Sequence, residues 1–197
     1  MKINELPEKY NKLWRKCQPV LKQGRHGDID HAKEVTVLVL NYQGKLAIDK
    51  DVLVPVAMMH DIGHAAILPE HFFMITGPKK LVNGKLVHML AGAKIAGDLL
   101  QSVSYNKAKA AEIVDIISMH DSDQLKNVDI QEVYNTVNKK FFHDVDSLDR
   151  YTKKRLEKAR KVWTNKKEIE RILKKFLNLF FFDEFRQIAE KRIAEIF

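Results

Sequence analysis

Residues 31–40 read HAKEVTVLVL, from His31 to Leu40, and the class of the fold turns on them. The run Thr36–Leu40 is β-branched enough to pass for a buried strand. A strand there would need a partner for its backbone N–H and C=O groups, and the surrounding sequence offers no second such run. The stretch is therefore read as an amphipathic, largely buried helix. Working outward, apolar spacing predicts helices over about 6–22, 29–42, 50–62 and 84–103. Gly63 and the stretch Pro69–Asn83 predict a long connection with short helical pieces. The last proline is Pro78 and the last glycine Gly97, so residues 98–197 hold neither of the strongest structure breakers. Apolar residues there recur at helical spacing, first at Ile113, Ile116 and Ile117, then at Ile169, Ile172, Leu173, Phe176, Leu177 and Phe180. Asn165 is placed to cap the last long helix. The expectation is an all-α helical bundle forming a single domain over 1–197.

The chain has 197 residues, 45% of them hydrophobic, and one cysteine. That is enough apolar content to exclude a disordered tail. A lone Cys17 excludes an internal disulfide framework and a thiolate zinc site. No apolar run approaches the roughly 18 residues of a membrane span, and the opening MKINELPEKYNKLW lacks a signal peptide's apolar stretch. A soluble, cytoplasmic protein without a membrane partner is expected. The net charge of +8 is regional: residues 150–175 hold 12 basic residues against 3 acidic ones. A solvated helix face accounts for that surplus more simply than a docking face for acidic partners, and nucleic-acid binding is the weakest reading. The triplet Phe180, Phe181 and Phe182 covers more than one helix face, and an exposed part of it would mark a homodimer surface.

The chemistry-bearing residues fall near helix ends. His60 and Asp61 close the apolar run VPVAMMHDIGH, where an imidazole beside a carboxylate must find partners. His31 opens the preceding helix, and His88 opens HMLAGAKIAGDLL, whose Ala91, Gly92, Ala93 and Ala96 permit close backbone approach. His120 and Asp121 close AEIVDIISMHD, and Asp144, Asp146 and Asp149 cluster in HDVDSLDRY. Successive helices thus each deliver an imidazole or a carboxylate, which is how helical bundles build metal sites.

The ordered set H…HD…H…HD…D over roughly residues 26–151 resembles the HD-domain metal-dependent phosphohydrolases. The resemblance implies a core over about 26–151 and a C-terminal helical extension over 152–197. It implies His31, His60, Asp61 and Asp146 as core metal ligands, the last through the match of VDSLDR, with His88 and His120 completing a second site. Asp61 would bridge two ions and serve catalysis. Asp121 would ligate through oxygen or steady His120, and Asp149 would orient a ligand from behind unless it pairs with Arg150 or Lys153 on the surface. The neighbouring His143–Asp144 doublet stays open as an alternative to Asp146. One or two divalent ions are implied, with iron or manganese favoured and zinc, cobalt, nickel or magnesium next, because imidazole and carboxylate ligands together suit transition metals.

The implied activity is hydrolysis of a phosphate ester, mono- or diester, by cation-activated water, with a nucleotide or another small phosphorylated metabolite as substrate. No serine elbow or phosphate-cradling glycine loop competes with that reading. His64 is a candidate proton donor or phosphate contact, against a plain surface histidine; Lys79 and Lys80 are weaker candidates for substrate phosphates. His26 and His71 have no company that raises them above surface residues. His64 and Asp121 replace a lysine and a histidine of the related cyclic-dinucleotide phosphodiesterases, whose GYP signature is missing, so cyclic di-GMP is not the expected substrate. The alternative is a regulatory module that keeps a structural metal and docks acidic partners through residues 150–175.

Overall fold

A computed structural model of the chain describes residues 6–71, 74–75, 82–162 and 165–197, and these residues form α-helices and short 3-10 turns without a strand. The protein is all-α, as the sequence predicted. Thr36–Leu40 lies inside a helix, its branched side chains spent on packing: Thr36, Val39 and Leu40 are buried. The chain divides into two compact units, Met1–Lys139 and Lys140–Phe197.

The first unit is built from α1 (Glu8–Leu21), α2 (Asp28–Asn41), α3 (Lys50–Met59), α4 (Gly84–Ser102), α5 (Lys107–Ile117) and the short α6 (Ile130–Val133). Helix α3 is apolar all round, and every residue from Val52 to Met59 is buried. It packs against α1, α2 and α5. Asp49 caps it, its carboxylate accepting from the Asp51 N–H at 2.8 Å. Pro55 sits within α3 and cannot donate to the Asp51 carbonyl four residues back. The hydroxyl of Tyr105, just ahead of α5, donates to that carbonyl instead, at 2.7 Å.

Sequence spacing predicted a helix to residue 62, but α3 ends at Met59. His60 and Asp61 turn the chain into a 3-10 segment, Ile62–Ala66, which packs on α4. The cause is Gly63. A Cβ there would fall 1.8 Å from the His88 carbonyl oxygen and 2.5 Å from the Gly92 nitrogen. Only a glycine lets the backbone lie this close to α4.

The second unit takes its first core residues, Phe141, Phe142 and Val145, from α7 (Val137–Ser147). A 3-10 turn (Leu148–Tyr151), α8 (Lys153–Val162), α9 (Lys166–Phe176) and α10 (Asp183–Ile196) follow. Asn165 caps α9, accepting from the Glu168 N–H at 3.1 Å. The helical run expected through Phe180 is α-helical to Phe176 and continues as a 3-10 turn over Leu177–Leu179, after which the phenylalanine triplet turns the chain. Phe180 is buried, while Phe181 and Phe182 are half-buried. Their backbone N–H groups donate to the fully buried Asp144 at 3.0 and 2.8 Å.

Basic residues of α9 are partly answered within the helix by Arg171–Glu168 and Lys174–Glu170 pairs. Among the described residues no helix is long and apolar enough to cross a membrane.

Candidate metal centre

Five elements of the first unit bring five histidines to one carboxylate. His31 comes from the first turn of α2, and His60 and Asp61 from the end of α3. His64 lies on the 3-10 turn, His88 near the start of α4, and His120 just past α5. Asp61, His60, His88 and His120 are buried; His31 and His64 are half-buried.

Asp61 stands between two pairs of imidazoles. Its Oδ2 lies 3.6 Å from His60 Nε2 and 3.9 Å from His31 Nε2. Its Oδ1 lies 3.9 Å from the Nε2 atoms of both His88 and His120. Within the pairs, His31 Nε2 and His60 Nε2 are 3.0 Å apart, and His88 Nε2 and His120 Nε2 are 3.2 Å apart. Ligands about 2.0–2.2 Å from one ion stand roughly 3–3.6 Å from each other. Both groups, His31–His60–Asp61 and Asp61–His88–His120, come within a few tenths of an ångström of that requirement.

Hydrogen bonding decides which ring nitrogens face inward with a lone pair. Nδ1 of His60 donates to the Ala57 carbonyl at 3.2 Å, Nδ1 of His88 to Gly84 at 3.3 Å, and Nδ1 of His120 to Ile117 at 2.8 Å. A carbonyl only accepts, so each Nδ1 carries a proton and Nε2 is the ring nitrogen turned inward. The two Nε2 atoms that face each other at 3.2 Å across the His88–His120 pair need a proton or a cation between them. Burial, with His120 and His64 beside it, pushes the His88 pKa down and keeps that ring neutral. Burial alone would raise the Asp61 carboxyl, but His60, His120, His64 and Arg25 together hold it well below the usual range, so it is ionised. An imidazole pair on each side of an ionised carboxylate is a donor set for divalent cations.

The surrounding contacts fix this arrangement. Arg25 donates from Nη2 to Asp61 Oδ2 at 2.7 Å and from Nε to Asp28 Oδ1 at 3.1 Å. Tyr134 donates from its hydroxyl to the His120 carbonyl at 2.9 Å. Asp121 is buried and accepts from Lys85 Nζ and Gln124 Nε2, each at 2.5 Å. Its Oδ2 comes 3.4 Å from His88 Nε2. Asp121 therefore flanks His88, while the Nδ1 of the adjacent His120 is held by a backbone carbonyl.

The α-helix ends before Gly63, so His64 does not share a helix face with His60 and is carried on the 3-10 turn instead. That turn stacks the His64 ring on His88, with centroids 4.3 Å apart and planes 8° apart, and sets His64 Nε2 3.3 Å from Asp61 Oδ1.

Arg25, Lys85 and Gln124 went unnoticed in the sequence. Each is a common surface residue type with no motif around it, and Arg25 lies in the turn before Asp28 that links α1 to α2. Lys79 and Lys80 lie outside the described residues. His26 and His71 are exposed.

Asp146 and Asp149 belong to the second unit. Asp146 is half-buried near the end of α7, and the buried Asp149 makes an ion pair with Arg155. His143 Nδ1 lies 3.0 Å from Asp144 Oδ1, so Asp144 is spent on its own ring neighbour and the Phe181–Phe182 backbone.

No protein-family model matches the chain, and neither a curated protein nor a solved structure matches it. Fold and site alone define the class, an all-helical protein with a buried His/Asp cluster able to hold a divalent cation.

Proposed function

We propose that the protein is a metal-dependent phosphohydrolase of the HD-domain type, acting on a nucleotide or another small phosphorylated metabolite. The observation that carries the reading is Asp61, whose two oxygens face two separate imidazole pairs. His31 and His60 would hold one divalent ion and His88 and His120 a second, with Asp61 between them. Such ions supply acidified water as the nucleophile and neutralise charge on the phosphoryl oxygens. Arg25 anchors Asp61 while its side chain remains 53% exposed, so its spare N–H donors are available to a phosphate. His64 is held 3.3 Å from Asp61 and lines the adjoining cavity. It is the group placed to give a proton to the departing ester oxygen as water takes its place on phosphorus.

The test is a phosphomonoester and phosphodiester screen on protein loaded with manganese or iron, followed by the variants. Turnover should fall by at least 100-fold in Asp61→Asn, while Arg25→Ala should mainly raise KM. Bound metal without turnover on any phosphoester would favour a structural metal in a regulatory module instead.

A further inference from the structure

Beside Asp61 the first unit opens a cavity of about 1020 Å³, at the upper end of small-molecule sites. Its wall has two characters. At the end nearest the metal centre stand Arg25, His64 and Lys85, bonded to or facing Asp61 and Asp121. Lys126 adds a further cation, and no carboxylate is among the described lining residues. The rest of the wall carries six aliphatic side chains, Ile67, Ile75, Val82, Leu86, Leu125 and Val128, alongside the amides of Gln23, Asn83 and Gln124; the Asn83 oxygen accepts from the Lys85 N–H and Gln124 donates to Asp121. Leu86 is 44% exposed, and Leu90, one helical turn along α4, is 55% exposed, so apolar surface continues outward from the cavity.

We infer that the site selects phosphoesters whose organic part is apolar, an alkyl, acyl or prenyl-like chain, over nucleotides. The inference rests on the phosphohydrolase reading for the place of the phosphate, and on the aliphatic wall for the rest. Ribose hydroxyls laid against Ile75, Val82 and Leu125 would exchange water for carbon and lose hydrogen bonds. A hydrocarbon chain laid there would leave water at no such cost. The cationic end holds the anion, and the length of the aliphatic wall, extended by Leu86 and Leu90, rewards chain length.

The test is direct binding to the full-length protein, by calorimetry with and without manganese, of butyl, hexyl and octyl phosphate below their micelle concentrations. Adenosine monophosphate and octanol serve as comparisons. Affinity should rise roughly two- to fourfold per added methylene, octyl phosphate should bind more tightly than adenosine monophosphate, and octanol should bind weakly. Leu86→Ser, at an exposed position, should flatten the ladder. Affinity that does not change with chain length, or tighter binding of adenosine monophosphate, overturns the inference. Binding is read without turnover, so the two readings fail separately. A rising ladder with no phosphate release sinks the hydrolase and leaves the apolar site. A flat ladder with release from nucleotides does the reverse.

Discussion

Gly63 and Gly92 meet backbone to backbone, so that a Cβ on Gly63 would fall 2.5 Å from Gly92 N and 1.8 Å from the His88 carbonyl oxygen. This contact presses the turn carrying His60, Asp61 and His64 onto the helix carrying His88. Gly63→Ala should therefore cost about 2–3 kcal/mol, lowering Tm by roughly 5–10 °C, and should weaken metal binding as well. Gly97→Ala is the control, because its Cβ would meet only Val114 Cγ2 at an ordinary 3.7 Å. Losing a mid-helix glycine there should raise stability by about 0.5–1 kcal/mol. Thermal melts of both variants check the pair, and equal effects would deny the close approach its role.

Pro55 and Tyr105 make a second linked pair. Tyr105→Phe removes the side-chain donor to the Asp51 carbonyl, at a cost of about 1 kcal/mol. Pro55→Ala restores an N–H four residues on, so Tyr105→Phe should cost far less in that background. A double-mutant cycle by urea unfolding measures the coupling, and additive effects would separate the two residues.

Much of this was legible in the sequence. Thr36–Leu40 read as a helix because no partner strand accompanied it. His31, His60, His88 and His120 stood out because each sat near a helix end. What the sequence did not yield depended on chain paths. The early end of α3 follows from a glycine contact with α4, which lies more than twenty residues away in sequence. Arg25 and Lys85 carry no local signal, since their meaning comes from which carboxylate the fold places beside them. Asp146 rests on the match of VDSLDR alone, and metal content in Asp146→Ala tests it; unchanged content would remove it from the ligand set.

Stability should depend on acid through Asp51. Lys9, Tyr10 and Lys109 bond to its carboxylate and hold its pKa well below the usual range. Its folded value is depressed, so its contribution is fully present above the unfolded value near about 4. That contribution is lost as pH falls through the lower folded value. The side chain is 35% exposed, so after screening the effect is no more than about 1 kcal/mol. Urea unfolding below about pH 5 should show a shallower loss in Asp51→Asn than in the parent chain, and parallel curves would assign the acid sensitivity elsewhere.

The two imidazole pairs predict separable metal binding. His31 and His60 face one oxygen of Asp61, and His88 and His120 face the other. His31→Ala should then abolish one equivalent of bound metal and His88→Ala the other, while Asp61→Asn should weaken both. Because the ligands come from α2, α3, α4 and the turn after α5, binding ties those helices together, and metal affinity becomes folding free energy. Metal at a hundredfold excess over Kd should add about 2.7 kcal/mol, a rise in Tm of roughly 5–10 °C, and chelation should reverse it. Elemental analysis of the three variants and melts with and without chelator provide the measurement. A single equivalent in the parent chain that persists in His88→Ala would show that the second pair is a buried histidine contact and not a ligand pair, leaving one ion at His31, His60 and Asp61.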